Sequence, residues 1–139
     1  MVSVGAKVKL HGRKGSYSST ALVDTGARMS LVDKSTAEHI GVEYTGRKLD
    51  FISISGHVVE ASEAVVLELV LEGELLKYEA IAVVDMPENV KEVLREAGFD
   101  ENLVIGILTL ERANMMPDTT TGALKKARGF LFHSGISRA

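Results

Sequence analysis

The stretch Ala21-Leu22-Val23-Asp24-Thr25-Gly26-Ala27 decides how the rest of the chain is read. An apolar run ends in a carboxylate, a tight turn follows, and Ser30-Leu31-Val32 resumes an apolar strand. A carboxylate held by turn backbone amides stays ionised or shares a proton, and can activate a water. Glycine at position 26 leaves room for a substrate backbone to lie against the carboxylate. The bare tripeptide Asp-Thr-Gly has a plainer reading. It also occurs in ordinary hairpins, where Asp makes an Asx-turn and Gly supplies a positive φ. The flanking sequence has to decide between the two.

A chain of 139 residues with 45% apolar content fits one globular domain with a substantial core. The net charge of −3, with both signs spread along the chain, argues against a nucleic-acid or anionic-membrane surface. The short basic segments Arg13-Lys14, Arg47-Lys48 and Lys125-Lys126-Ala127-Arg128 read as solvated turns or strand ends. There is no cysteine, which excludes disulfides, zinc thiolates and cysteine nucleophiles. Met1 to Leu10 has no apolar signal core, and no apolar run approaches membrane-spanning length. The expected address is cytoplasmic.

Most predicted elements are short strands. Val4, Ala6, Val8 and Leu10 alternate with Gly5, Lys7 and Lys9 as in a half-buried strand. Gly12-Arg13-Lys14-Gly15 turns the chain into a return strand, Tyr17 to Val23. Asp33 caps a short helix from Lys34 to Ile40, closed by Gly41. A polar, basic stretch from Tyr44 to Lys48 precedes a second hairpin, Leu49 to Ile54 and His57 to Val66, with Ser55-Gly56 at its tip. Val65, Leu67, Leu69 and Leu71 form an alternating apolar face, and Gly73-Glu74 turns into an apolar strand from Leu75 to Val84. Met86-Pro87 opens a helix whose Val90, Val93, Leu94 and Ala97 share one face, ended by Gly98. Asp85, like Asp33, reads as a helix cap. Leu103-Val104-Ile105 is a buried strand ended by Gly106, and Ile107 to Ala113 a short helix. Pro117 to Gly122 is a turn, and Phe130-Leu131-Phe132 a last strand. These elements predict an all-β fold, a closed or nearly closed barrel with two or three short helices.

Three features then fall in order: Asp24-Thr25-Gly26-Ala27, a hairpin tip about thirty residues later, and Leu103-Val104-Ile105-Gly106 running into a helix. This order resembles the retroviral-like (retropepsin-type) aspartic proteases, over most of the chain. The resemblance implies a single acid-protease domain over residues 1–139. It implies that Asp24 is the catalytic aspartate and that Thr25 braces two active-site turns across a dimer. Gly26 would line the substrate channel, with Ala27 beneath the first substrate side chain. Ser53, Ile54, Ser55, Gly56 and His57 would form the flap tip that closes over a peptide. Ile105 and Gly106 would support the catalytic loop.

The departures are as informative. Retroviral members place an acid directly after Asp-Thr-Gly-Ala and an Arg directly after the late apolar-apolar-Gly, and the two pair. Here Arg28 and Ile107 hold those positions, so both partners have changed together. Arg28 must therefore reach solvent or another acid. This fits a cellular or prokaryotic relative better than a viral enzyme, and the helix from Pro87 to Ala97 looks like an insertion.

Other chemistry is poorly supported. His11, His39, His57 and His133 have no metal-ligand spacing. Ser18, Ser19 and Thr20 form no readable Ser-His-Asp set. Met115-Met116 reads as packing.

The expectation is an aspartic endopeptidase that hydrolyses peptides or proteins. It uses no metal and no organic cofactor and works as a homodimer, because the chain carries a single Asp-Thr-Gly. The alternative is a catalytically silent dimer of the same fold, serving as a peptide-binding or assembly module.

Overall fold

The computed structural model describes residues 2–52, 56 and 58–127. The last strand expected at Phe130 to Phe132 and most of the flap tip (Ser53, Ile54, Ser55 and His57) lie outside the described residues.

Among the described residues nine strands and three helices follow one another as β1 (Gly5–His11), β2 (Ser16–Val23), β3 (Leu31–Asp33), α1 (Lys34–Ile40), β4 (Glu43–Ile52), β5 (Val58–Leu71), β6 (Glu74–Val84), α2 (Glu88–Glu96), β7 (Leu103–Ile105), α3 (Ile107–Ala113), β8 (Met115–Asp118) and β9 (Ala123–Lys126). The main sheet runs β1-β2-β7-β3-β6-β5-β4, and β1 also pairs with β5. That extra pairing closes the first six of these strands into a barrel, leaving β4 outside on β5. The expected barrel is therefore closed, with three helices among the described residues.

Alternation builds the interior. Val4, Ala6, Val8 and Leu10 all point into the barrel, where they meet Val66, Leu69 and Leu71 of β5 and Leu76 and Ile81 of β6. The long hairpin β5–β6 departs from a simple period of two. Buried positions step from Val66 to Leu69 and from Leu76 to Glu79, and Tyr78 between them has φ +56°. The inward set is thus Val66, Leu69 and Leu71, not the Val65 and Leu67 expected from the pattern. The pairing register is the same on either side, Val66 opposite Glu79 and Glu68 opposite Lys77, so both strands exchange faces together.

Three further expectations change. The Tyr44–Lys48 stretch belongs to β4, which is irregular between Tyr44 and Lys48 around Gly46, φ +89°. Pro117 and Asp118 end a strand, so the turn before β9 is narrower than expected. Asp118 Oδ1 accepts from the Thr120 amide at 3.0 Å, as an Asx-turn does. Finally, Asp85 is exposed and caps nothing, because Pro87 takes the N-cap position of α2. On that helix Leu94 is buried whereas Val93 is 59% exposed.

Asp33 does more than cap α1. One carboxylate oxygen accepts from the Ser35 amide at 3.2 Å and the Ser35 hydroxyl at 2.5 Å. The other accepts from the Met86 amide at 2.9 Å, and the Lys91 ammonium of α2 lies 3.7 Å from the oxygen that Ser35 holds. A buried carboxylate thus ties α1 to the entry of α2. Burial by itself would raise its pKa. The Ser35 hydroxyl, the Met86 and Ser35 amides and the Lys91 ammonium outweigh burial and lower it. Asp33→Ala is expected to cost about 2 kcal/mol, since it removes a cap and unpairs a buried amide. In urea unfolding, the advantage of wild type over the variant should be full above the ordinary carboxyl value of 3.8. It should shrink as pH falls below that value, because a lowered folded-state pKa stabilises only the ionised form.

Candidate active site

Strand β7 lies between β2 and β3. It runs parallel to β2, with Leu22 beside Val104 and Val23 beside Ile105. It runs antiparallel to β3, with Leu31 beside Val104 and Val32 beside Leu103. The segment from Asp24 to Ser30 must therefore cross over the carboxyl end of β7, where Gly106 sits.

Backbone bonds fix this crossing from both sides. The Asp24 amide donates to the Ile105 carbonyl at 2.9 Å, and the Ala27 amide to the Asp24 carbonyl at 3.0 Å. The Ile107 amide donates to the Ala27 carbonyl at 2.8 Å and the Leu108 amide to the Arg28 carbonyl at 3.0 Å. Gly106 is required by space rather than by its dihedrals. A Cβ there would stand 2.5 Å from the Met29 carbonyl carbon and oxygen and 2.8 Å from the Ala27 oxygen. All of these are backbone atoms that cannot swing aside.

At the tip of the crossing, Asp24, Thr25 and Gly26 are exposed and Ala27 is half-buried. Asp24 Oδ1 accepts from the Gly26 amide at 2.8 Å. Gly26 itself does not adopt a positive φ. Its backbone would accept another residue, but a Cβ would come within 3.1 Å of Asp24 Oδ1. Asp24 thus makes the Asx-turn of an ordinary hairpin, but the glycine is not there to supply a positive φ. The glycine keeps open the space beside the carboxylate.

Arg28 is exposed, and Ile107 packs against the barrel core. Polar anchoring of the crossing comes from another quarter, which the sequence reading missed. The Gly106 amide donates to Ser30 Oγ at 3.0 Å. Ser30 Oγ lies 2.6 Å from Thr109 Oγ1, and the Thr109 hydroxyl donates to Glu79 Oε2 at 2.8 Å. Arg112 donates to Glu79 Oε1 at 2.7 Å and to the Lys77 carbonyl at 2.5 Å. Ser30, Thr109 and Glu79 are all buried, at 0, 1 and 5% exposure. The available signal was a hydroxyl or carboxylate inside each of three otherwise apolar runs.

By alternation, Leu22 shares the face of Asp24. On that side Leu22, Met29, Leu31, Phe51 and Val59 are half-buried around Val104, Ala82 and Val84. Phe51 and Val59 belong to the β4–β5 hairpin, whose paired backbone extends to Ile52 and Val58. Beyond that pair only Gly56 is described, exposed and with φ +82°. Among the described residues no cluster of His, Asp and Glu could hold a metal ion. No helix among them is long and apolar enough to cross a membrane.

A closed six-strand barrel with an Asp-Thr-Gly turn slung over its shortest parallel strand pair defines a retropepsin-like domain. The chain belongs to the aspartyl protease family, whose profile matches residues 6–111. Among solved structures it is similar to the retroviral protease-like domain of Ddi1 from Leishmania major, with 20% identity over 91% of this chain and 89% of that one, and a TM-score of 0.57. It is also similar to the EIAV protease solved with the inhibitor HBY-793 (18% identity, 79% and 85% covered, TM-score 0.49). A retropepsin-like aspartic protease from Rickettsia conorii is a third such structure (19% identity, 83% and 94% covered, TM-score 0.48). No curated protein matches in sequence.

Proposed function

We propose that the chain is an aspartic endopeptidase whose active site forms between two copies, each supplying Asp24. The observation that carries this reading is the Asp24 turn: a solvent-facing carboxylate on a braced backbone, with a glycine keeping the adjacent space open. One carboxylate of the pair takes a proton from water as its oxygen attacks the scissile carbonyl carbon. The other, protonated, donates to the carbonyl oxygen. Two carboxylates about 3 Å apart cannot both ionise, so the pair shares one proton. This chemistry needs neither metal nor organic cofactor.

Thr25 would brace the two turns, and Gly26 and Ala27 would border the peptide. Residues 53–57 would close over the peptide as a flap. The half-buried side chains Leu22, Met29, Leu31, Phe51 and Val59 would give it an apolar wall. A cysteine-free chain fits the reducing cytoplasm, which is where we place the enzyme.

Digestion of a peptide library beside Asp24→Ala protein, read by mass spectrometry, tests the activity. Cleavage products that disappear with the variant support it. Peptide retention without cleavage would instead identify a silent binding module. Subunit mixing tests the dimer. Wild type equilibrated with a ninefold excess of Asp24→Asn protein should keep about a tenth of its activity, because most wild-type chains then sit opposite an inactive partner. Full activity in the mixture would show that one chain suffices.

A further inference from the structure

We infer that Glu79, held by Arg112, is a positioning residue for the Asp24 turn, acting through Thr109, Ser30 and the Gly106 amide. The inference rests on the reading of Asp24 given above.

The direction of the hydrogen bonds is fixed by chemistry. A carboxylate facing the Arg112 guanidinium can only accept, so the Thr109 hydroxyl spends its single proton on Glu79. Thr109 Oγ1 must then accept from Ser30, although either hydroxyl could donate on distance alone. Ser30 Oγ in turn accepts from the Gly106 amide. Every group is satisfied in one sense only: amide to Ser30, Ser30 to Thr109, Thr109 to Glu79.

The far end of this relay is the residue on which the crossing turns. Gly106 lies between Ile105, whose carbonyl holds the Asp24 amide, and Ile107, whose amide holds the Ala27 carbonyl. Fixing the Gly106 amide fixes both anchors of the turn. The near end is fixed to a different part of the barrel, because Glu79 stands on β6 opposite Val66 of β5. Arg112 strengthens that end by also donating to the Lys77 carbonyl. The relay thus joins the paired β5–β6 hairpin to the loop carrying Asp24.

Glu79→Gln is the sharpest perturbation. With its carbonyl oxygen kept on Arg112, Gln offers an N–H to Thr109 and reverses the relay. Two donors then converge on Ser30 Oγ, and the Ser30 proton loses its acceptor. The turn should loosen although the side chain keeps its size.

The experiment measures steady-state peptide cleavage and amide hydrogen exchange on the whole chain for Glu79→Gln, Thr109→Val and Thr109→Ser. We expect kcat to fall about tenfold or more in Glu79→Gln and Thr109→Val with KM within about twofold, since a small misplacement of a reacting group is costly. Exchange at Gly106, Ile107 and Ala27 should speed up in the same two variants, while amides in β1 remain as in wild type. Thr109→Ser, which keeps the hydroxyl, should restore both. Thr109→Val carries the test should Glu79→Gln fail to fold.

Unchanged kcat and unchanged exchange would overturn the inference. So would exchange accelerated equally throughout the barrel, which marks a general stability role. If wild type cleaves no peptide but the exchange pattern appears as described, the endopeptidase reading fails and the positioning of the turn stands.

Discussion

Asp24→Asn protein is expected to fold like the parent and to cleave peptides roughly 10⁴-fold more slowly, the upper range for loss of one acid–base group. The geometry explains why the two consequences separate. The Asp24 side chain is exposed, and its one bond among the described residues is from the Gly26 amide to Oδ1. An Asn carbonyl oxygen accepts that bond equally well. The main-chain bonds of Asp24, to Ile105 and from Ala27, do not involve the side chain. What Asn cannot do is take a proton from water or share one with a second carboxylate. The loss should therefore appear in kcat, with peptide binding largely retained and the unfolding midpoint little changed. Cleavage at the wild-type rate would mean that another group performs the chemistry.

Gly106→Ala is expected to show the opposite pattern, a failure of the scaffold. The added methyl group would lie 2.5 Å from both atoms of the Met29 carbonyl. No rotamer change relieves this, since the methyl and its neighbours belong to the backbone frame. Either the crossing or the start of α3 has to move, and each is tied to the other by the Ile107–Ala27 and Leu108–Arg28 bonds. We expect a loss of about 3 kcal/mol, at the high end for overpacking, because no flexible side chain can yield. Urea unfolding measures it. Activity should fall too, as the Asp24 turn shifts with its support. A variant as stable as wild type would show that the close approach at Gly106 is not maintained in solution.

Much of this architecture could be read from the chain, and the reasons are local. Strand β1 alternates cleanly because one face is core and the other is solvent. Helices α1 and α3 begin and end where their flanking residues dictate: Asp33 and Gly41 for the first, Gly106 for the second. The Asp-Thr-Gly turn stood out because its flanks are apolar on both sides.

The misreadings share a cause of another kind. The face exchange near Tyr78 coincides with a positive φ, for which the sequence offers a tyrosine and no glycine. Asp85 resembled a cap by position, yet Asp33, distant in sequence, supplies the carboxylate that meets α2 at the Met86 amide. The relay from Gly106 to Glu79 joins residues scattered along the chain, and no local pattern tells which of them meet. Local patterns report local partners. Contacts made only after the barrel has closed leave no periodic trace.

That closure also sets an order of events during synthesis. The hairpins β1–β2 and β5–β6 join neighbours and can pair as soon as they emerge. The Asp24 turn is different, because its supports at Ile105, Gly106 and Ile107 are made long after Asp24 itself. Until then the turn has nothing to hang from, and pairing between such distant segments is intrinsically slow. A nascent chain therefore carries its aspartate for most of its translation before the scaffold that aims it exists. The Asp24 turn is thus assembled late, well after the strand that leads into it.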